Sequence, residues 1–304
     1  MTVSVCMITY NHEKFIDEAI RSVLSQQTSF PVRLVIGEDS STDNTRSLCE
    51  DYAGKYPGQI EVLPDEGNLG MMKNFLRTIK KCEGDFIAFL EGDDYWTDPY
   101  KLQKQVQFLQ DNPGYSACFH SVLIRSTISD ETIRKFHPAD ASIYPCNLTR
   151  DSFTTTDLLS QWLTPSASLV FVNYKDLELP AWYSNCRFGD LPYLLLLSLR
   201  GNFKYIDQVM AVYRKHDEGV SIGYEGYDKI SAMVFILENF NIYTNRVFNS
   251  QVREAIINEI KRNLKPYKPV EKPAPLPGIR KQVKNRIGAC YHFLLKRIRI
   301  ALHL

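Results

Sequence analysis

The sequence has almost no net charge and no long apolar run. Its 304 residues include 36 Lys plus Arg and 35 Asp plus Glu, for a formal net charge of +1. That balance gives no global electrostatic case for a nucleic-acid partner. No apolar run approaches the roughly 18–20 residues that span a bilayer. The start VSVCMIT lacks the basic region of a signal peptide, so we expect a soluble cytoplasmic protein.

Paired cysteines are also missing. The seven cysteines form no CxxC pair, their number is odd, and several lie inside apolar runs. We therefore expect buried free thiols in a reducing compartment, with neither a disulfide framework nor a zinc site.

The usual glycine-rich phosphate loops are absent as well. There is no GxGxxG after the first predicted strand and no GxxxxGK[ST] anywhere. Dinucleotide-type and P-loop phosphate sites are therefore not expected. Any bound phosphate would have to be neutralised by other groups.

The first 125 residues alternate strand and helix patterns. Apolar, β-branched runs predict four strands, and helical spacing predicts a helix after each of the first three. Asn11 is the expected cap of the first helix. Such repeated β-α units favour a mostly parallel α/β sheet flanked by helices. The predicted strands are Val3–Thr9, Val32–Gly37, Ile60–Leu63 and Phe86–Leu90.

The remaining chain is less regular. We predict strands at Ala167–Val172 and Phe203–Tyr213, a buried helix at Asp190–Arg200 and helical spacing over Tyr227–Asn263. The expected organisation is a catalytic domain over 1–225, a helical extension over 226–264, a Pro-rich linker over 265–278 and a basic amphipathic helix over 279–304.

The basic segment 279–304 has two interpretations. It can pack on the domain or on another subunit, or it can attach the protein to the inner face of the membrane through anionic lipid. The sequence alone leaves both open.

Polar residues follow the predicted strands where each strand ends. Because ligands bind at the carboxyl ends of strands in an open parallel sheet, we expect these residues to share one crevice. In FLEGDDYW, adjacent carboxylates suit a divalent cation such as Mg²⁺ or Mn²⁺, or else they begin a turn. The clusters are Thr9-Tyr10-Asn11, Glu38-Asp39, Asn68 with Gly70, and Glu91-Gly92-Asp93-Asp94.

Four ordered motifs make the sequence recognisable: VSVCMITYNHEKFIDEAIRSVLSQQ, VIGEDSSTDNT, GNLGMMKNF and FIAFLEGDDYW. Together they resemble glycosyltransferase family 2, whose members are inverting enzymes with a GT-A fold. The resemblance is strong from Val3 to about His120 and continues more weakly to Ser221.

The resemblance implies a role for each matching residue on the donor side. Tyr10 would stack on the nucleobase, flanked by Thr9 and Asn11, and Asp39 would accept a hydrogen bond from the base or shape its own turn. Asp93 would be the metal-holding carboxylate of a DXD motif, beside Asp94; the family often has Asp at Glu91. The ribose and diphosphate side would be lined by Asn68, Gly70 and Lys73.

On the acceptor side, the resemblance makes Asp190 the general base, with Gly189 where the family usually has Glu. The alternative for Asp190 is an N-cap of the following helix. Arg214 or His216 would contact the diphosphate or the metal, and His216 is included among the expected metal ligands. Trp96 and Trp182 are candidates for a sugar face, although core packing explains such residues equally well.

The implied function is transfer of a sugar from a nucleotide-sugar donor to a hydroxyl of a polysaccharide or lipid-linked glycan. UDP is the nucleotide expected by family habit, and GDP and dTDP stay open. The competing interpretations are a sugar-phosphate nucleotidyltransferase, whose glycine- and arginine-rich loop is absent after the first strand, and an inactive sugar- or nucleotide-binding protein.

Overall fold

The computed structural model describes residues 1–126, 133–136, 150–160, 164–217, 219 and 226–263. The predicted linker over 265–278 and the basic helix over 279–304 lie outside these residues. No helix in the described ranges is both long enough and apolar enough to cross a membrane.

Residues 3–89 form one half of the sheet, in which all strands are parallel; we call it the parallel half. Its strands stand in the order β3-β2-β1-β4, and each neighbouring pair is parallel. Both faces of this part are covered by helices, which explains the continuous apolar runs of β1 and β2. The elements are β1 (Val3–Thr9), α1 (Ile16–Leu24), β2 (Val32–Glu38), α2 (Thr45–Lys55), β3 (Ile60–Val62), α3 (Met71–Lys81) and β4 (Phe86–Phe89).

The other half of the sheet contains both parallel and antiparallel pairs, and it continues from β4 in the order β4-β9-β6-β10-β5. Strand β9 runs antiparallel to both neighbours, whereas β10 is parallel to β6. The elements are β5 (Tyr95–Trp96), α4 (Lys101–Asp111), β6 (Tyr115–Ser126), β7 (Ile133–Phe136), β8 (Ser152–Phe153), α5 (Thr155–Ser160), β9 (Val170–Val172), α6 (Asp190–Ser198), β10 (Asn202–Lys215), α7 (Tyr227–Tyr243) and α8 (Asn249–Asn263).

Alternating side chains of the strands feed two hydrophobic cores, one on each face of the sheet. In β1, Cys6 points to the face that packs against α3 and α6, while Val5 and Met7 point to the face that packs against α1. The cysteines in the described ranges are buried and free, as expected: Cys6, Cys49, Cys82, Cys118 and Cys186.

Two local predictions are wrong. Asn11 does not cap α1, because that helix begins at Ile16 and the Asn11 side chain contacts Thr42 instead. The segment Ala167–Val172 is only partly a strand, since a 3₁₀ turn over Ser166–Ser168 precedes β9. The helical spacing predicted over Tyr227–Asn263 is confirmed, because this range forms α7 and α8, which are separated by a turn that contains two residues with positive φ.

Candidate active site

The carboxyl ends of β1, β2 and β4 lie side by side. The Asp39 N–H donates to the Thr9 carbonyl at 3.1 Å, and the Gly92 N–H donates to the Ile8 carbonyl at 3.0 Å. Gly92 is required at this crossing, because a Cβ there would lie 2.3 Å from Thr9 Oγ1. The polar clusters after these strands therefore share one edge of the sheet, as the sequence predicts.

The loop after β1 is fixed by the loop after β2. Asn11, whose φ is 55°, accepts hydrogen bonds through Oδ1 from Thr42, and its N–H donates to Ser41 Oγ at 2.9 Å. Thr9 is buried, whereas the neighbouring Tyr10 is 41% exposed. This arrangement presents the Tyr10 side chain to solvent at the sheet edge.

Asp39 connects the end of β2 to the turn before α3. Its two carboxylate oxygens accept hydrogen bonds from the N–H groups of Leu69 and Gly70, each at 2.9 Å. Gly70 has a φ of 80°, which favours glycine. Asn68 and Lys73 flank this turn with exposed side chains. Asp39 thus holds the segment that the resemblance assigns to the donor.

Two histidines converge on Asp93. His216 Nε2 lies 3.0 Å from Asp93 Oδ2, and His12 Nε2 lies 3.8 Å from the same oxygen. His216 follows the end of β10, whereas His12 follows β1, so the sheet brings together residues from distant parts of the sequence. One ligand atom from each of the three residues lies within 4.8 Å of the others, so the set is able to hold a metal ion.

The surroundings of Asp93 and Glu91 shift the pKa values of the two carboxyl groups in opposite directions. Burial alone would raise the pKa of Asp93, but the hydrogen bond with His216 and the charges of His12 and His216 lower it. Burial, followed by the charges of Asp93 and Asp190, raises the pKa of Glu91 to about 7. Ser166 Oγ donates to Glu91 at 2.6 Å and opposes that rise.

Asp94 turns away from the two histidines. Its Oδ1 accepts the backbone N–H of Arg214 at 2.8 Å, and within the described ranges its buried Oδ2 has no hydrogen-bond partner. Burial and the charges of Asp93 and Glu91 raise its pKa well above the usual range. Asp94 therefore does not belong to the group formed by Asp93 and the histidines; its role as a metal ligand stays a prediction.

Arg214 is part of the framework around this group. Its guanidinium lies 4.3 Å from the Tyr95 ring centroid, donates to the Asp93 carbonyl at 2.6 Å and pairs with Glu18. Because its side chain is only 7% exposed, most of its surface contacts protein. Its contact with a diphosphate stays a prediction.

Asp190 is the first residue of α6, and burial raises the pKa of its carboxyl group. Hydrogen bonds from the backbone N–H groups of Leu191 and Asp190 itself oppose that rise. The N-cap position belongs to Gly189, so the capping interpretation of Asp190 is wrong.

Steric crowding explains why the residue before Asp190 is a glycine. A Cβ on Gly189 would lie 2.7 Å from the Phe75 ring, which packs against Phe89 and Tyr193. The Glu that the resemblance leads us to expect at this position would require the Phe75 ring or the backbone to shift. The departure from the family pattern is therefore matched by a large side chain on α3.

The two tryptophans differ in their surroundings. Trp96 is buried, donates its indole N–H to the Ala167 carbonyl at 2.9 Å and contacts Lys101, so it serves the core. Trp182 is partly buried and packs beside Tyr183. Two residues of the site, His12 and Ser166, were not predicted from the sequence. His12 lies in the motif TYNHEKF, whereas no sequence pattern distinguishes Ser166.

Comparison with known proteins identifies the family of this chain. Residues 4–168 match the description Glycosyl transferase family 2, and the chain belongs to that family. An uncharacterized protein of Mycobacterium tuberculosis is 32% identical over 225 residues, which are 72% of this chain and 60% of that protein. This chain thus spans less than two thirds of the length of that curated relative.

Two solved structures share the fold. Staphylococcus aureus TarS 1–349 in complex with UDP-GlcNAc has a TM-score of 0.60 at 19% identity, covering 86% of this chain and 72% of that one. A mannosyltransferase from Pyrobaculum calidifontis in complex with GDP-Man and Mn²⁺ has a TM-score of 0.57 at 14% identity, covering 85% and 73%. The expected GT-A fold is confirmed.

Proposed function

We propose that the protein is an inverting glycosyltransferase that moves a sugar from a nucleotide-diphosphate sugar to a hydroxyl group of a glycan. The convergence of Asp93 with His12 and His216 at the carboxyl edge of the sheet carries this proposal. Family membership and the nucleotide-sugar complexes of the two structural neighbours support it. UDP is the proposed nucleotide.

On the donor side, Tyr10 stacks on the nucleobase and Asp39 accepts a hydrogen bond from it. Each carboxylate oxygen of Asp39 can accept more than the single backbone hydrogen bond that it has, so both tasks are compatible. Asn68, Gly70 and Lys73 line the ribose and diphosphate. Thr9 and Asn11 fix the loop that carries Tyr10, as their contacts indicate.

The residues around Asp93 suit a divalent metal, because they combine an ionised carboxylate with two imidazoles at one point. Asp93 and His216 are the proposed ligands, with Asp94 kept as a candidate, and Mn²⁺ or Mg²⁺ as the ion. A metal ion held by these residues would supply positive charge that stabilises the leaving diphosphate.

In the acceptor step, Asp190 takes the proton of the attacking hydroxyl group. The acceptor oxygen forms a bond to the anomeric carbon from the face opposite the nucleotide. The bond from that carbon to the diphosphate oxygen breaks, and the nucleoside diphosphate leaves with the bonding electrons. The raised pKa of Asp190 suits a general base, because a stronger base takes the proton more readily.

Calorimetric binding of UDP, GDP and dTDP tests the proposal, each with and without Mn²⁺, on the wild type and on Asp93→Ala. We expect one nucleotide to bind in a way that needs both Mn²⁺ and Asp93. If the folded protein binds none of them, the donor site is absent and the interpretation as an inactive sugar-binding protein takes the place of this proposal.

We also propose that a polysaccharide or lipid-linked glycan is the acceptor and that residues 279–304 attach the protein to the inner face of the membrane. The family resemblance and the mixed basic and apolar sequence support these points. Deleting residues 279–304 should then release the protein from anionic liposomes; equal partitioning of the two forms would dismiss the attachment.

A further inference from the structure

His12 occupies a position that the sequence motifs do not assign to the metal. It follows β1, in the loop that otherwise serves the nucleobase, yet its Nε2 lies 3.8 Å from Asp93 Oδ2. The His12 and His216 rings meet edge to face, with centroids 5.9 Å apart. Two imidazoles that are distant in the sequence therefore face one carboxylate oxygen.

The orientation of His12 is set by its neighbours. Thr9 Oγ1 lies 3.2 Å from His12 Nδ1, so the interaction at Nδ1 leaves Nε2 as the nitrogen directed at Asp93. A Cβ at position 92 would lie 3.1 Å from the same Nδ1, so Gly92 leaves room for the ring. Groups that hold the outer nitrogen of an imidazole in this way are typical of histidines that bind metals.

The distances also fit coordination. Two ligands at right angles around an ion, each at about 2.1 Å, lie about 3.0 Å apart. The separation of His216 Nε2 from Asp93 Oδ2 is 3.0 Å, and His12 Nε2 needs only to move closer from 3.8 Å.

We propose that His12 is a third protein ligand of the metal, and that the resulting set of two imidazoles and one carboxylate selects Mn²⁺ over Mg²⁺. Imidazole nitrogen suits transition metals, whereas Mg²⁺ prefers oxygen ligands and gives up its water reluctantly. The inference rests on the proposed function for the presence of a cation at the donor site.

Direct metal binding tests the selectivity. MnCl₂ and MgCl₂ are titrated into the wild type by calorimetry, alone and with UDP. We expect Mn²⁺ to bind about tenfold or more tightly than Mg²⁺. In His12→Gln, we expect Mn²⁺ affinity to fall about 10-fold or more while Mg²⁺ affinity changes little, so that the preference narrows. Equal affinities of the two ions in the wild type would overturn the proposal.

A spectroscopic measurement counts the ligands. Electron spin echo modulation of bound Mn²⁺ should show nitrogen couplings from two imidazoles in the wild type and from one in either His12→Gln or His216→Gln. Lys14→Gln, an exposed neighbour of the same loop, is the matched control and should keep both couplings. His12→Asn is a second variant, and thermal unfolding identifies any variant that fails to fold.

The outcomes separate this inference from the proposed function. If Asp93→Ala abolishes Mn²⁺-dependent UDP binding while His12→Gln leaves affinity and nitrogen couplings unchanged, the donor site stands and His12 is not a ligand. If Mn²⁺ binds neither alone nor with UDP, the metal assignment and the role of His12 fail together.

Discussion

Asp93 and Asp190 are aspartates of the same candidate site in opposite surroundings. Histidines face Asp93, and their charges lower its pKa in spite of its burial. Asp190 lies in the first turn of an apolar helix, and burial there raises the pKa of its carboxyl group. The charges of both carboxyl groups raise the pKa of Glu91, so each of them lies near Glu91. Environment alone thus lowers the pKa of one carboxyl group and raises that of the other, which suits the proposed roles of metal ligand and general base.

The largest effect should come from Asp190→Asn. Removing the base should lower kcat by a factor on the order of 10²–10⁴ while leaving UDP binding with Mn²⁺ unchanged, because Asn has the same shape but cannot take the proton. The rate of UDP release from UDP-sugars, with a glycolipid extract as acceptor, measures it. Glu254→Gln, an exposed acid on α8, is the control. Full activity in Asp190→Asn would place the base elsewhere.

The same change at the other carboxylate should give the opposite result. Asp93→Asn should weaken Mn²⁺-dependent UDP binding by about 10- to 100-fold or more, since the anion between the histidines is lost. Calorimetry with and without Mn²⁺ measures the change. If both Asp→Asn variants gave the same phenotype, the assignment of separate roles would be wrong.

Gly189→Ala tests the steric limit beside Asp190. The added methyl group would approach the Phe75 ring to 2.7 Å, so we expect a loss of about 1–3 kcal/mol in the free energy of unfolding. Combining it with Phe75→Leu should cost less than the sum of the two single changes. Denaturant unfolding of the four proteins provides the cycle, and strict additivity would contradict the proposed clash.

The smallest effect is a displacement of the pH profile. The base is active when ionised, so activity should fall as the pH decreases through the pKa of Asp190. Since burial raises that pKa, the acid limb of kcat/KM should lie above the ordinary value for Asp, about 3.9. Glu91→Gln is the control for the neighbouring acid, whose pKa is about 7. A limb that moves only with Glu91→Gln would assign it to Glu91.

The sequence predicted the parallel half well, because buried strands and amphipathic helices there follow one another with regular spacing. Asp93 and Asp39 could be placed at the strand ends for the same reason. The surroundings of Asp190 could not be predicted, since the contact of Gly189 with Phe75 joins residues that share no motif. The pairing of β9 between β4 and β6 is equally non-local.

His12 shows why one member of the candidate metal site was not predicted from the sequence. It lies inside a motif that was assigned to the nucleobase, and one histidine in a loop carries no distance information. Only the parallel pairing of β10 with β6 brings His216 to this edge and reveals the convergence on Asp93. A side chain can thus be conspicuous in the sequence while its partner is identified only by the topology.

The position of Arg214 has a consequence for the order of folding. Its partners Glu18, Asp93 and Asp94 all precede β6, whereas Arg214 lies near the end of β10. During synthesis, the four strands of the parallel half leave the ribosome before the guanidinium of Arg214 exists. Contacts between residues so distant in the chain form slowly, because a long loop must close first. The candidate site is therefore completed only after the ribosome has passed residue 216, because a shorter nascent chain lacks His216.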